Sequence, residues 1–178
     1  MKPTAAIAPL RALVDDVRAV ARAKKASGSS RPTLAALGDA STWALTMMRT
    51  SAALRSSVGS SFGISTALRV VFHIDVWSDD IGGGLRLPHP FNIVIGEGVS
   101  VGRDCVLMHN VTIQRGKGTV VEDRSVLGTG SVVLAGAHIG ERSIVGAASV
   151  VHGEVQPASV VAGAPARKLR DVRPGETP

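Results

Sequence analysis

His89 and His109 are the residues of this chain whose type and spacing best suit chemistry. Each follows an aliphatic residue, Leu87 or Leu107, by two positions, and the two histidines stand twenty residues apart. In the repeat described below, twenty residues is one coil of eighteen plus a two-residue insertion. The pair is therefore expected on one corner of adjacent coils, where two neighbouring imidazoles form a candidate acid/base site. Two ordinary corner histidines would give the same spacing. Asp75, Asp79 and Asp80 precede His89 closely, and a carboxylate on the far imidazole nitrogen would fix the tautomer and stabilise the cation formed on proton abstraction. Spacing does not choose among the three acids, and an acidic cap on the domain's open end would use them equally well. His138 and His152 are out of phase with the pair, so no three-histidine metal site is expected. No Ser or Cys lies in a Gly-x-Ser-x-Gly nucleophile motif, so no acyl-enzyme is required.

The element that positions these residues is a six-residue period running from Ile81 to Val161. Its aliphatic anchors are Ile81, Leu87, Ile95, Val101, Leu107, Ile113, Val121, Leu127, Val133, Ile139, Val145 and Val151. Glycine directly follows several of them, as at Gly96, Gly102, Gly128, Gly140 and Gly146. This is neither helical periodicity nor strand alternation, and it predicts a parallel β-helix in which three hexads make one triangular coil. Residues 75–165 supply about five coils. The period slips between Leu87 and Ile95 and again between Ile113 and Val121, each by two residues. Such insertions leave a stacked core intact only as outward loops, and loops on a rigid scaffold are where ligands are met.

Composition agrees with a narrow stacked prism. Of 178 residues, 3% are aromatic and none is Tyr, so a core built on rings is not expected. The formal charge of +6 is uneven: residues 1–72 carry ten Lys and Arg against three Asp and Glu, and residues 73–178 carry ten against eleven. No aromatic interleaving or groove-reading motif accompanies the basic half, so no nucleic-acid partner is expected, and contact with a membrane surface is not expected either. The single cysteine, Cys105, rules out an internal disulfide and reads as a small apolar filler. No stretch resembles a signal peptide or membrane span, and the expected location is the cytoplasm.

Ahead of the repeat, Leu10, Leu13, Val14, Val17 and Val20 keep helical spacing and predict an amphipathic helix over about residues 8–25. Ser27 to Pro32 reads as a linker. A short helix is expected over Thr33–Leu37, then one N-capped by Ser41 and running to about Leu54. Ile64–Phe72 leads into the repeat as a last helix or an extended segment. The organisation is thus an α-helical segment over 1–72, a β-helix over 73–166 and a basic tail over 167–178.

The stretches Ile74-Asp75-Val76, Gly84 to Gly96 with the sequence GLRLPHPFNIVIG, His109-Asn110-Val111-Thr112-Ile113 and Val160 to Arg167 with the sequence VVAGAPAR resemble the hexapeptide-repeat acyltransferases, and within them the serine O-acetyltransferase branch. The likeness covers residues 64–170 well and the helical segment loosely. It implies a left-handed parallel β-helix, acetyl transfer from acetyl-CoA to an alcohol, and a homotrimer or dimer of trimers with sites between adjacent prisms. By this resemblance His89 is the general base, Asp75 the acid that orients it, and His109 a contact to acceptor or thioester. Gly128, Thr129, Gly130, Gly146 and Ala147 fall where relatives bind the CoA arm, and Arg167 and Lys168 fall near its phosphates. Asn92, Arg115 and Lys117 are candidate acceptor-binding residues. No metal is implied.

The chain departs from that branch where an amino-acid acceptor would be held. Pro88 precedes His89 in place of an aspartate, and Gln114 to Gly118 replaces a longer glycine-rich loop with an Arg-His pair. A buried ammonium without a carboxylate costs several kcal/mol. The expected acceptor is serine or a serine-like amino acid, with a sugar, polysaccharide or specialised-metabolite alcohol as the alternative. A β-helical scaffold without activity is the non-enzyme alternative.

Overall fold

The computed structural model describes residues 3–177, with side chains from residue 8. Four helices come first: α1 (Pro3–Ala26), α2 (Pro32–Leu37), α3 (Ala40–Val58) and α4 (Ile64–Phe72). The segment before the repeat is therefore a helix, and α3 begins slightly earlier than expected because its N-cap is Asp39, not Ser41. The Asp39 side chain accepts from the Ser41 amide at 2.9 Å. Ser41 instead turns its hydroxyl to the carbonyl of Leu87, at 2.7 Å, and ties α3 to the first coil.

The repeat forms a prism with three parallel faces. The first face stacks Asp75–Val76, Val94–Ile95, Thr112–Ile113, Val132–Val133 and Val150–Val151. The second stacks Val99–Val101, Thr119–Val121, His138–Ile139 and Glu154–Val155, with Ile81 bridged to Val101. The third stacks Val106–Leu107, Val126–Leu127, Ile144–Val145 and Ser159–Gly163, with Arg86 bridged to Val106. Aliphatic anchors from Ile81 to Val161 point inward and are buried, because a corner after every few residues returns each anchor to the axis. Corners require a left-handed residue, and Asp104, Arg124, Arg142 and Ala158 occupy one column at φ between 52° and 58°.

Cys105 belongs to this architecture. It stands in the column of Ser125, Ser143 and Ser159, and its Sγ lies 3.2 Å from the carbonyl oxygen of Glu122, much as Ser125 donates to Gly140 and Ser143 to Gln156 in later coils. Burial pushes its thiol up to about 11, so it is an inert filler.

Both insertions are present as loops, and the repeat has a third irregularity: Val155 follows Val151 by only four positions, although their strands continue the register of Val133 and Ile139, which are six apart. The last coil is thus two residues short. The C-terminal residues 167–171 are no free tail, since Ala166–Asp171 returns antiparallel to Ser159–Gly163 and closes the third face.

The helices cap the open end of the prism. Ala44, Leu45 and Met48 share one core with Ile81, Leu85 and Leu87. Within it lies a buried ion pair: Arg49 donates to Asp16 at 2.8 and 3.2 Å and to the carbonyls of Ile81 and Gly82, both at 2.6 Å. Their side chains are 4% and 0% exposed.

Candidate active site

Strand register fixes which residues share a corner. Leu107 pairs with Leu127, Leu127 with Val145 and Val145 with Val161, while Arg86 pairs with Val106 and so places Leu87 beside Leu107. Two residues beyond each anchor lie His89, His109, Thr129, Ala147 and Gly163, in one column along the edge between the third and first faces. Backbone bonds lock the column: Gly130 N–H donates to His109 O at 3.1 Å and Ala148 N–H to Thr129 O at 2.8 Å.

At the wide end of this column the His89 and His109 rings meet edge to face, centroids 5.6 Å apart. His89 is exposed and its ring makes no hydrogen bond among the described residues. His109 is half-buried, and its Nδ1 is shut off from solvent without a hydrogen-bond partner. A buried orphan N–H is rarer and costlier than an under-used acceptor, so the proton belongs on Nε2 and His109 is a donor there. Asn92 and Asn110 adjoin the pair and share a hydrogen bond of 3.0 Å, both with left-handed backbone.

Towards the C-terminus the column narrows to small groups. A Cβ on Gly128 would come within 2.7 Å of the Ala147 amide, and one on Gly146 within 2.9 Å of the Ala162 Cβ. Glycine lets these turns stack tightly, leaving a low, smooth edge from His109 to Gly163. At its far end Arg167 pairs across the hairpin with Ala162 and Lys168 with Val161. The Lys168 Nζ is held by Asp171 at 2.6 Å, whereas among the described residues the Arg167 guanidinium reaches only its neighbouring carbonyl, that of Ala166. Gly128, Thr129, Gly130, Gly146, Ala147, Arg167 and Lys168 thus all lie on or beside this one edge.

The acids and the loop cations are placed differently from expectation. Asp75 lies on the first face, just past the histidine corner, but its carboxylate pairs with Arg69 at 3.2 Å, and that guanidinium also stacks over Trp77. Asp79 pairs with Arg55 at 2.6 Å, and Asp80 accepts from the Ser100 hydroxyl. None of the three is hydrogen-bonded to His89. Arg115 and Lys117 sit on the next edge, between the first and second faces. Arg115 is exposed there and pairs with Glu97 at 3.2 Å. One strand of about five residues, on the order of 15 Å, separates them from His109 within one chain. Asn110 was missed by sequence reasoning, although adding eighteen to Asn92 would have found it.

His138, outside the corner as expected, pairs with Glu122 at 2.8 Å and holds that carboxyl below its ordinary value. Among the described residues no group of three or more His, Cys, Asp or Glu converges as a metal site. No helix there is long and apolar enough to cross a membrane.

A family model described as the hexapeptide repeat of succinyl-transferase matches residues 92–115 and 118–152. The two skipped residues fall in the second insertion. The chain thus carries the hexapeptide repeat, and its sequence is similar to serine acetyltransferases. That of Mycobacterium tuberculosis is 38% identical over 101 residues, covering 53% of this chain and 44% of the relative. That of Buchnera aphidicola from Schizaphis graminum is 28% identical over 118 residues, covering 62% and 45%. The match therefore spans less than half the length of these curated relatives. In fold the chain resembles the serine acetyltransferase of Vibrio cholerae, with TM-score 0.79, 25% identity, and 93% of this chain and 67% of that one covered. A serine acetyltransferase solved with CoA gives TM-score 0.77 at 24% identity, covering 91% and 70%.

Proposed function

We propose that this protein is an acetyl-CoA-dependent O-acetyltransferase acting on a hydroxyl of serine or a serine-like amino acid. The observation that carries the reading is the single edge on which His89, His109, Thr129, Ala147 and Gly163 align. His89, exposed and unbonded, removes the acceptor's hydroxyl proton as the oxygen attacks the thioester carbonyl. The Nε2–H of His109 faces the resulting oxyanion, a preorganised donor of the kind that stabilises developing charge. Collapse breaks the carbon–sulfur bond, and the thiolate of CoA takes the proton from the His89 imidazolium. The CoA arm lies along Gly128-Thr129-Gly130 and Gly146-Ala147 towards Arg167 and Lys168. Asp75 is assigned to orient His89, which requires its carboxylate to leave Arg69.

We assign a homotrimer as the working assembly. The outward rows of the two faces that meet at the histidine edge are mostly aliphatic, with Val94, Val132 and Val150 on one and Val126 and Ile144 on the other, all only half-covered in a single chain. Packing such rows against neighbouring prisms buries apolar surface, and it gives a route by which Arg115 and Lys117 of an adjacent subunit meet the acceptor. The inert Cys105 suits a reducing compartment, and the cytoplasm is the assigned location.

A second reading, transfer to a sugar or other neutral alcohol, is favoured by one feature: Pro88 beside His89 offers no carboxylate to an ammonium group. Thiol release from acetyl-CoA, measured with serine, homoserine and a panel of sugar alcohols, distinguishes the two. His89→Ala is expected to lower kcat by about 10²–10⁴, the usual worth of general-base catalysis. Near-wild-type turnover by that variant, with assembly intact, would refute the assignment.

A further inference from the structure

On the opposite side of the third face from the histidine edge, α1 crosses the first coils and leaves a hollow of about 390 Å³. Its helical wall is small and apolar, from Ala19, Ala23 and Ala26, and its charged groups are Arg22, Arg86, Arg124 and Asp104. Gly84 forms the floor at φ 82°, where a Cβ would lie 2.2 Å from the Asp104 carboxylate. The carboxylate is thereby tucked down beside the floor.

The charges in this hollow do not balance. Arg22 reaches Asp104 at 3.3 Å, and Arg124 is held at the rim by Glu141 at 2.7 Å. Neighbouring cations are also taken, Arg103 by Asp15 at 3.1 Å and Lys24 by Asp39 at 2.5 Å. Arg86 is half-buried, and its guanidinium has no hydrogen bond or ion pair among the described residues. Burial, and next the like charge of Arg22, lower its pKa from the ordinary value, while Asp104 pulls the other way. A half-buried guanidinium whose five donors meet no group of the chain is placed to receive an anion.

We propose that Arg22, Arg86 and Arg124 form a binding pocket for a small oxyanion of the phosphate type, separate from the edge that holds the acyl carrier. Guanidinium forks match phosphate oxygens in pairs, and with Asp104 meeting Arg22 and Glu141 meeting Arg124, the three arginines leave the Arg86 charge without a carboxylate. The anion is either free phosphate or a phosphoryl group on a small metabolite. The CoA phosphates are placed elsewhere, since Arg167 lies on the hairpin that closes the last coil and Arg86 stands in the first.

Isothermal titration of the full-length chain with inorganic phosphate, at constant ionic strength set by sodium chloride, tests this. Saturable one-to-one binding per chain is expected, unchanged by excess CoA and by Arg167→Gln. Arg86→Met, which breaks no bond of the folded chain, is expected to weaken it at least about tenfold, the scale of one lost charge-assisted pair. Asp104→Asn, which removes the competing carboxylate, is expected to tighten it. Melting curves confirm that both variants fold. Unaltered phosphate binding by Arg86→Met, displacement by CoA, or failure of the wild type to bind would each overturn the proposal. A glucose phosphate compared with glucose separates the sources: tighter binding than inorganic phosphate identifies a phosphorylated metabolite, and equal binding identifies the bare ion.

Discussion

Arg49→Met is the substitution whose effect the structure fixes most closely. The guanidinium donates four hydrogen bonds, two to Asp16 and two to the carbonyls of Ile81 and Gly82. At about 1 kcal/mol net for each bond, the loss is about 4 kcal/mol, within the 3–5 kcal/mol typical of stripping one partner from a buried pair. For a chain of 178 residues each kcal/mol moves Tm by roughly 2–4 °C, so a fall of roughly 8–16 °C is expected. The damage lies where α1 and α3 clamp the coil that carries His89. Calorimetry of the full chain, with urea unfolding as a second measure, reads it.

The pH dependence supplies an independent check. Burial raises the Asp16 carboxyl above its ordinary 3.8, while Arg49 and the amides of Leu85 and Gly84 pull it down. Removing Arg49 leaves burial less opposed and raises it further. An acid whose folded pKa exceeds its unfolded one binds more protons when folded, so its stability contribution falls as pH rises through that window. The deficit of Arg49→Met is therefore smaller at about pH 4 than at about pH 7. Asp16→Leu added to Arg49→Met is expected to recover part of the loss, short of wild type because the Leu85 amide, 2.9 Å from Asp16, then loses its acceptor. A fall in Tm under about 2 °C for Arg49→Met, or a deficit that grows in acid, would refute the account of this pair.

Thr129→Trp places a large ring on the narrow part of the histidine edge and is expected to raise the KM for acetyl-CoA strongly while leaving Tm nearly unchanged; steady-state kinetics decides. Asp39→Ala removes the N-cap of α3 and is expected to cost about 1 kcal/mol in urea unfolding. Burial raises the Asp39 carboxyl, but hydrogen bonds from Lys24 and Ser41 outweigh it and hold it below 3.8, so the contribution is present above that pH and fades as pH falls. Arg115→Ala is expected to raise the KM for the acceptor and leave that for acetyl-CoA unchanged; the opposite split would remove Arg115 from acceptor recognition.

The solenoid was legible because its physics is periodic. Each coil repeats one packing problem, so Leu87 and Leu107 declare their own register and carry His89 and His109 with them. The short last coil was not legible, because a contraction to four residues at Gly153 removes two positions instead of adding a visible loop, and Val155 falls off the six-residue count. Asp16 and Arg49 were illegible for another reason: on amphipathic helices an acid and a base look like a solvated face, and only tertiary packing brings residues thirty-three apart together. The orienting acid was ambiguous because Asp75, Asp79 and Asp80 precede the first full coil, where no repeat fixes direction. Arg69, Arg55 and Ser100, the partners they adopt, lie on separate elements. Arg115 and Lys117 read as replacements for the cation that the shortened loop lacks, yet the insertion after Ile113 lies one face past the histidines, so the proposed role would need a neighbouring prism.

The two halves of the proposed reaction rest on different kinds of structure. From His89 to Gly163 the edge column crosses four coil spacings, about 19 Å at 4.7–4.9 Å each. Its members are held in line by the same backbone ladders that build the core. The separation between the thioester end and Arg167 is therefore set by stacking, and it changes only if coils are gained or lost. In the proposed reaction acceptor recognition falls instead to residues 88–92 and 114–118, beside the two insertions, which alter without disturbing a single buried anchor. A glycine or a cation in those loops is free to vary where Leu107 or Val145 is not. On the proposed reading, carrier binding and acyl transfer are written along the stacked edge while the acceptor is marked only by two short loops, which would put the determinants of acceptor choice within about ten residues on adjacent edges of the prism.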